Sequence, residues 1–333
     1  MAPTTPERFG DYELRERLGV GGMAETFVAI RRGPGGFEQR VCLKRILPTF
    51  VGDSEFVQMF LREARLSALL HHGHIARVLD FGIVGITHYL TLELIDGTDL
   101  RAALRHLRVR GESLDPGLTS YVAHALASAL DFAHTADENG HAAGIIHRDV
   151  SPSNVLLSEA GEIKLADFGI AKATSPPASV QSGALKGKIP YMAPEYAIGR
   201  SCSARSDLFS LGVLLYECLA GYRPFDGGSD IQTLDRARNG HRDLLREAAP
   251  DTPAPLANAI ESLLVPNPDD RPPNAARFIA MLAEVPPPPL AQRDLGVLVR
   301  SVEKHDAIPS APGLASTRPA PTLRPRKRLP SQR

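Results

Sequence analysis

Between residues 145 and 172 the chain reads IIHRDVSPSNVLLSEAGEIKLADFGIAK, and this stretch constrains the fold more than any other. His147, Arg148, Asp149 and Asn154 share one short loop. Two strand-like segments follow, 155–157 and 163–165, with the turn signal Glu159-Ala160-Gly161 between them. A hairpin of that size returns the chain to where it began, so Asp167 meets Asp149 at one end. Two carboxylates and a carboxamide converging there suit a magnesium-phosphate site, because hard cations take oxygen ligands and magnesium keeps few from protein. Asn154 and Asp167 are the candidate ligands. Asp149 is placed to orient an attacking hydroxyl and accept its proton, a role that demands reach more than an extreme pKa. The plainer reading is a hairpin whose aspartates only cap turns.

Upstream, short strands at 12–18, 25–31 and 39–46 are punctuated by glycine. Between the first two lies Leu18-Gly19-Val20-Gly21-Gly22-Met23-Ala24, where glycines let backbone amides approach phosphate oxygens closely. A strand follows this turn, not a helix, which disfavours a dinucleotide fold or a P-loop. Residues 56–70 have helical apolar spacing, strands are expected at 76–83 and 86–95, and the remainder is mostly helical from residue 100 onward.

The loop around Asp149 together with Asp167-Phe168-Gly169 resembles the catalytic loop and D-F-G segment of protein kinases. Val41-Cys42-Leu43-Lys44 is similar to the strand that carries the phosphate-anchoring lysine, and Glu63 to the helix glutamate that pairs with it. GGMAET, DFGIAKA and PYMAPE look most like bacterial, eukaryotic-like serine/threonine kinases. The resemblance covers about residues 12–284 and implies an α+β, two-lobe fold. Residues 12–95 would form a small lobe of five antiparallel strands and one main helix; residues 96–284 would form a larger, mostly helical lobe.

What the resemblance implies for the site is specific. ATP would lie under Leu18, Gly19, Gly21, Gly22, Ala24 and Thr26, be anchored by Lys44, and be read at its adenine edge by backbone groups of Glu93 and Ile95, with Leu92 as gatekeeper. Mg2+ would sit on Asn154 and Asp167. Asp207 would brace the catalytic loop, and Arg271 would pair with Glu195. Arg148 could hold a phosphate placed on Thr174, Ser175, Ser179 or Ser182. The chemistry would be phosphoryl transfer from ATP to serine or threonine of a protein substrate; the alternative is a nucleotide-binding scaffold without transfer.

Four positions depart from the family pattern. Ala24 replaces the third glycine and Thr26 the valine over adenine. The lysine usual two residues after the catalytic aspartate is Ser151, and the threonine usual in the Gly-Thr-x-x-Tyr segment is Lys188. The last two losses look reciprocal, so Lys188 is expected to supply from another loop the cation that Ser151 lacks.

Hydrophobic residues make up 43% of the 333, enough for the cores of two lobes. A net charge of zero predicts no special affinity for nucleic acid or membrane. Cys42, Cys202 and Cys218 form no spaced pattern, and no apolar run suits a membrane helix or a signal peptide, so a cytoplasmic location is expected. His71, His72 and His74 read as a turn after the first helix rather than a metal set. Residues 1–11 read as a polar lead. Residues 285–333, with Pro286 to Pro289 at their start, one short helix at 290–302 and a basic Pro-rich end, read as a disordered tail; neither the protein substrate nor an oligomeric state is written in the sequence.

Overall fold

The computed structural model describes residues 7–138, 141–142, 144–168 and 188–306. The first lobe is one antiparallel sheet of β1 (Arg8–Phe9), β2 (Tyr12–Val20), β3 (Ala24–Arg32), β4 (Glu38–Ile46), β5 (Val78–Val84) and β6 (Thr87–Glu93), in the order β1-β2-β3-β4-β6-β5. Helix α1 (Ser54–Ala68) connects β4 to β5. The sheet has six strands where five were expected. The extra one is β1, whose Phe9 is buried, meets Tyr89 edge-on at 5.6 Å and lies 5.2 Å from the Arg45 guanidinium. A two-residue strand with a single apolar side chain leaves no periodic signal.

Each face of the sheet buries its own cluster. Phe9, Tyr12, Leu14, Phe27, Ala29, Val41 and Leu43 pack on one side. Ala24, Ile46 and Leu90 meet Phe60 and Ala64 of α1 on the other. The helix begins where Asp53 caps it, accepting from the Glu55 and Phe56 amides at 3.0 and 3.4 Å, slightly earlier than apolar spacing implied. Burying Phe60 ties α1, and with it Glu63, to the sheet; truncating such a side chain to alanine costs about 3–5 kcal/mol.

The second lobe starts with β7 (Gly97–Asp99), α2 (Leu100–Val109) and α3 (Pro116–His134). A small hairpin, β8 (Asp137–Glu138) and β9 (His141–Ala142), lies in the polar stretch after α3. Then β10 (Val155–Ser158) pairs on one side with β11 (Ile163–Leu165) and on the other with β7. The helices α4 (Pro194–Ala197), α5 (Ala204–Ala220), α6 (Asp230–Asn239), α7 (Leu245–Ala248), α8 (Ala254–Leu263), α9 (Ala275–Met281) and α10 (Ala291–Asp306) complete it. Buried faces of α3, α5 and α8 form the main core, which explains why α5 is apolar nearly all round.

The packed body runs past residue 284. The helix expected at 290–302 extends to Asp306, and its Leu295, Val299 and Val302 are buried in the main core. It docks on the turn between β10 and β11. Gly161, at φ +81°, abuts the Gln292 carbonyl, and a Cβ there would stand 1.7 Å from that oxygen. Gln292 Nε2 donates to the Ala160 carbonyl at 3.3 Å, and Arg300 donates to the Glu159 carbonyl. Among the described residues no helix is long and apolar enough to cross a membrane.

Candidate active site

Strand register brings the cleft face together. Thr26 pairs with Lys44 and Val28 with Cys42 across β3 and β4, while Lys44 and Cys42 pair with Leu90 and Leu92 across β4 and β6. Directly opposed residues share a face, so Thr26, Val28, Cys42, Lys44 and Leu92 line one side of the sheet. The glycine-rich turn closes with the Gly21 amide donating to the Ala24 carbonyl at 2.7 Å. Leu18 and Val20 stand half exposed at the mouth. Ala24 has a structural use: its methyl is buried against Phe60 and Ala64 of α1, where a glycine would leave a gap.

Lys44 joins three elements. Its Nζ donates to Glu63 Oε1 of α1 at 2.8 Å and to Asp167 Oδ1 at 2.9 Å. Burial works against the lysine's charge, but Asp167 and Glu63 outweigh it and hold its pKa above the usual lysine range. The Lys44 charge in turn holds the Asp167 carboxyl below the usual carboxylate range, so both groups stay ionised at neutral pH. Asp167 has φ +56° and keeps its side chain half open to the cleft.

The backbone of the loop that carries Asp149 is held by Asp207 of α5, which lies far away in sequence. Its carboxylate accepts from the His147 and Arg148 amides at 2.7 and 2.8 Å and lies 2.8 Å from His134 Nε2. Arg148 sits at φ +63°, a conformation that costs a non-glycine residue of order 1–3 kcal/mol, and the two amide bonds to a buried carboxylate stabilise it. His147 accepts the Asp149 amide on Nδ1, which puts its proton on Nε2 facing the Ala166 carbonyl at 3.1 Å. Its ring packs 4.5 Å from Phe168.

Around Asp149, the Asn154 amide nitrogen donates to the Asp149 carbonyl at 2.9 Å and to its Oδ2 at 3.0 Å. That leaves the Asn154 carbonyl oxygen as the atom it could offer a metal, beside Oδ2 of Asp167; an amide and a carboxylate oxygen are the donor chemistry magnesium takes. Lys188 forms an ion pair with Asp149 Oδ2. Ser151 is buried, with Oγ 3.1 Å from Ser153 Oγ, and contributes no charge. A pocket on this side of Asp149 is lined by Arg148, Lys188, Tyr196, Cys202 and Ser210. The Cys202 thiol there is pushed up to about 12, by burial first and by Asp207 second, and stays protonated.

Glu195 and Arg271 form a doubly hydrogen-bonded buried pair, both contacts at 2.8 Å, and Ser206 Oγ donates to the same carboxylate at 2.7 Å. Gly169 and the hydroxyls expected to take phosphate, Thr174, Ser175, Ser179 and Ser182, lie outside the described residues. His72 stacks on Phe132 at 5.3 Å and His74 Nδ1 lies 3.0 Å from the Ile163 carbonyl, so both brace the turn after α1. One residue escaped sequence reasoning: Lys164 of β11 reaches Glu93 Oε1 at 3.2 Å. Only the alternation of β11 touched it, and that pointed the side chain away from the core.

The protein kinase domain family matches residues 12–282. The chain is 38% identical over 271 residues to the tyrosine-protein kinase MasK of Myxococcus xanthus, covering 81% of this chain and 42% of that protein. It is 36% identical over 281 residues to the serine/threonine-protein kinase PknA of Mycobacterium tuberculosis, covering 83% and 61%. With the serine/threonine-protein kinase PkaA of Streptomyces coelicolor it shares 36% identity over 291 residues, covering 82% and 50%. The crystal structure of the Mycobacterium tuberculosis PknI kinase domain superposes with a TM-score of 0.61 at 29% identity, covering 85% of this chain and 99% of that one. The chain therefore spans less than two thirds of the length of these curated relatives.

Proposed function

The chain belongs to the protein kinase family, and on that premise we propose that it transfers the γ-phosphoryl group of ATP to serine or threonine hydroxyls of a protein substrate. The observation that carries the proposal is the Glu63–Lys44–Asp167 relay beside the Asn154–Asp149 pair. A lysine fixed by two carboxylates is pre-positioned for phosphate, and a phosphoryl transfer depends mainly on position and charge. In this reading Leu18, Gly19, Gly21, Gly22, Ala24 and Thr26 cover the nucleotide, and backbone groups of Glu93 and Ile95 read its base.

Asn154 and Asp167 would hold magnesium, which when bound neutralises charge on the phosphates. The acceptor hydroxyl attacks the γ-phosphorus; its oxygen forms the new P–O bond as the bond to the ADP oxygen breaks, and Asp149 takes the hydroxyl proton. Lys188, already paired with Asp149, supplies the cation that Ser151 does not. The serine/threonine assignment draws on the names of PknA and PkaA and on a catalytic loop without the arginine-bearing pattern usual for tyrosine kinases. MasK is named a tyrosine kinase, so the acceptor is the point to test.

Incubation with radiolabelled ATP and magnesium, comparing wild type with Asp149→Asn, followed by phosphoamino-acid analysis, decides it. Label on serine or threonine that falls at least a hundredfold in the variant is the expected result. Label only on tyrosine overturns the acceptor assignment, and equal label in both proteins overturns the kinase reading.

A further inference from the structure

We propose that Lys164 and the Glu93 side chain form a positioning pair that sets the base-reading backbone of residues 93–95 against the catalytic hairpin. This rests on the kinase reading and names a determinant of nucleotide affinity within it. Glu93 closes β6 at the passage between lobes. Its Oε1 is a junction, accepting the Arg77 amide at 2.8 Å and Lys164 Nζ at 3.2 Å. Its own amide donates to the Arg77 carbonyl at 2.9 Å. Side chain and backbone of Glu93 thus grip the same residue of the segment between α1 and β5.

That segment is itself laced to β11. The Leu165 amide donates to the His74 carbonyl at 2.8 Å, the Ala76 amide donates to the Leu165 carbonyl at 2.9 Å, and Ile75 and Leu165 form a parallel bridge. Lys164 lies on this strand next to those rungs, three residues before Asp167. One hydrogen-bonded block therefore runs from the base-reading backbone to the carboxylate that meets Lys44, and Lys164 is its side-chain link to Glu93.

Burial argues against a merely solubilising lysine. In β11 the residues on either side, Ile163 and Leu165, are fully buried, so alternation sends Lys164 toward water. Yet its side chain is 13% exposed and that of Glu93 28% exposed. A pair this far desolvated is screened less than a surface pair. Without the lysine, Glu93 still holds Arg77, whose segment stays bonded to β11, but it loses its direct side-chain contact with β11, so the base-reading backbone is held less firmly in register with Asp167. The loss falls on nucleotide binding more than on transfer, because Lys44, Glu63, Asp149 and Asn154 keep their own contacts.

The test titrates Mg·ADP onto wild type, Lys164→Met, Lys164→Arg, Glu93→Gln and the Met/Gln double variant, and measures KM for ATP and kcat in parallel. Lys164→Met is expected to raise the ADP Kd and the ATP KM about fivefold, more than it lowers kcat. Lys164→Arg, which keeps the charge, binds like wild type, and the double variant is no worse than the weaker single. An unchanged Kd in Lys164→Met, or losses that multiply independently in the double variant, overturns the pair. Wild type that binds no Mg·ADP overturns the kinase reading and the pair with it; wild type that binds, with Lys164→Met equal to it, overturns the pair alone.

Discussion

Replacing Lys188 by alanine removes the cation paired with Asp149, and the structure brackets the cost. The lysine side chain is 36% exposed and Asp149 7%, so the charge acts in a medium between bulk water and protein interior. A unit charge about 4 Å from a phosphate is worth about 1 kcal/mol in water and about 4 kcal/mol near a protein surface. Those limits correspond to roughly fivefold and a thousandfold in rate. We therefore expect kcat for Lys188→Ala to fall by about tenfold to a thousandfold, with a smaller change in KM for ATP, in a steady-state phosphotransfer assay. Lys188→Arg keeps most of the rate. Ser151→Lys placed in the Lys188→Ala background returns a cation to the position the family ordinarily uses, and should recover at least tenfold of the loss. A Lys188→Ala enzyme within twofold of wild type, or a double variant no faster than the single, would refute the idea that charge lost at one loop was regained at the other.

Two further outcomes test how the fold holds this site. Arg271→Met strands the Glu195 carboxylate, which Arg271 and Ser206 together keep ionised against burial, and should destabilise the protein by about 3–5 kcal/mol, read as a lowered midpoint in urea unfolding. Ending the chain after residue 306 should leave activity on a small generic substrate unchanged, whereas ending it after residue 288 deletes α10 and uncovers the core that Leu295, Val299 and Val302 bury, lowering stability by about 5 kcal/mol and activity with it.

The candidate cluster was legible because most of its members lie in short runs of sequence. Asp149 and Asn154 share one loop and a single hairpin separates them from Asp167, and hairpins close predictably; Lys44 was placed by the resemblance of its strand to the family's lysine-bearing strand. Asp207 and Arg271 were placed by family pattern alone, since nothing local ties an aspartate on α5 to an amide on another loop. The features that stayed hidden share one property: their meaning is a partner distant in sequence. β1 is a strand only because Phe9 finds Tyr89 and Arg45, α10 belongs to the core only because glycines 161 and 296 let two backbones meet, and Lys164 matters only because Glu93 stands opposite.

The distribution of these partners separates two kinds of constraint on the chain. Groups that would act on phosphate are polar and clustered, and each is held by at least one fixed partner: Glu63 on Lys44, Lys44 on Asp167, Asn154 on Asp149. Groups that hold the frame are buried carboxylates on helices of the second lobe with partners on its loops, Asp207 of α5 stabilising the left-handed Arg148 and Glu195 of α4 pairing with Arg271. On the proposed reading Lys188 joins the first class in place of the lysine absent at Ser151, and this is tolerable because electrostatic stabilisation depends on where a charge ends up in space and not on which segment delivers it. A frame charge has no such freedom, since moving it leaves its buried partner unpaired at a cost of several kcal/mol. Substitution by relocation is therefore expected at the rim of the catalytic cluster, where Lys188 remains partly solvated, and not at Asp207 or Arg271.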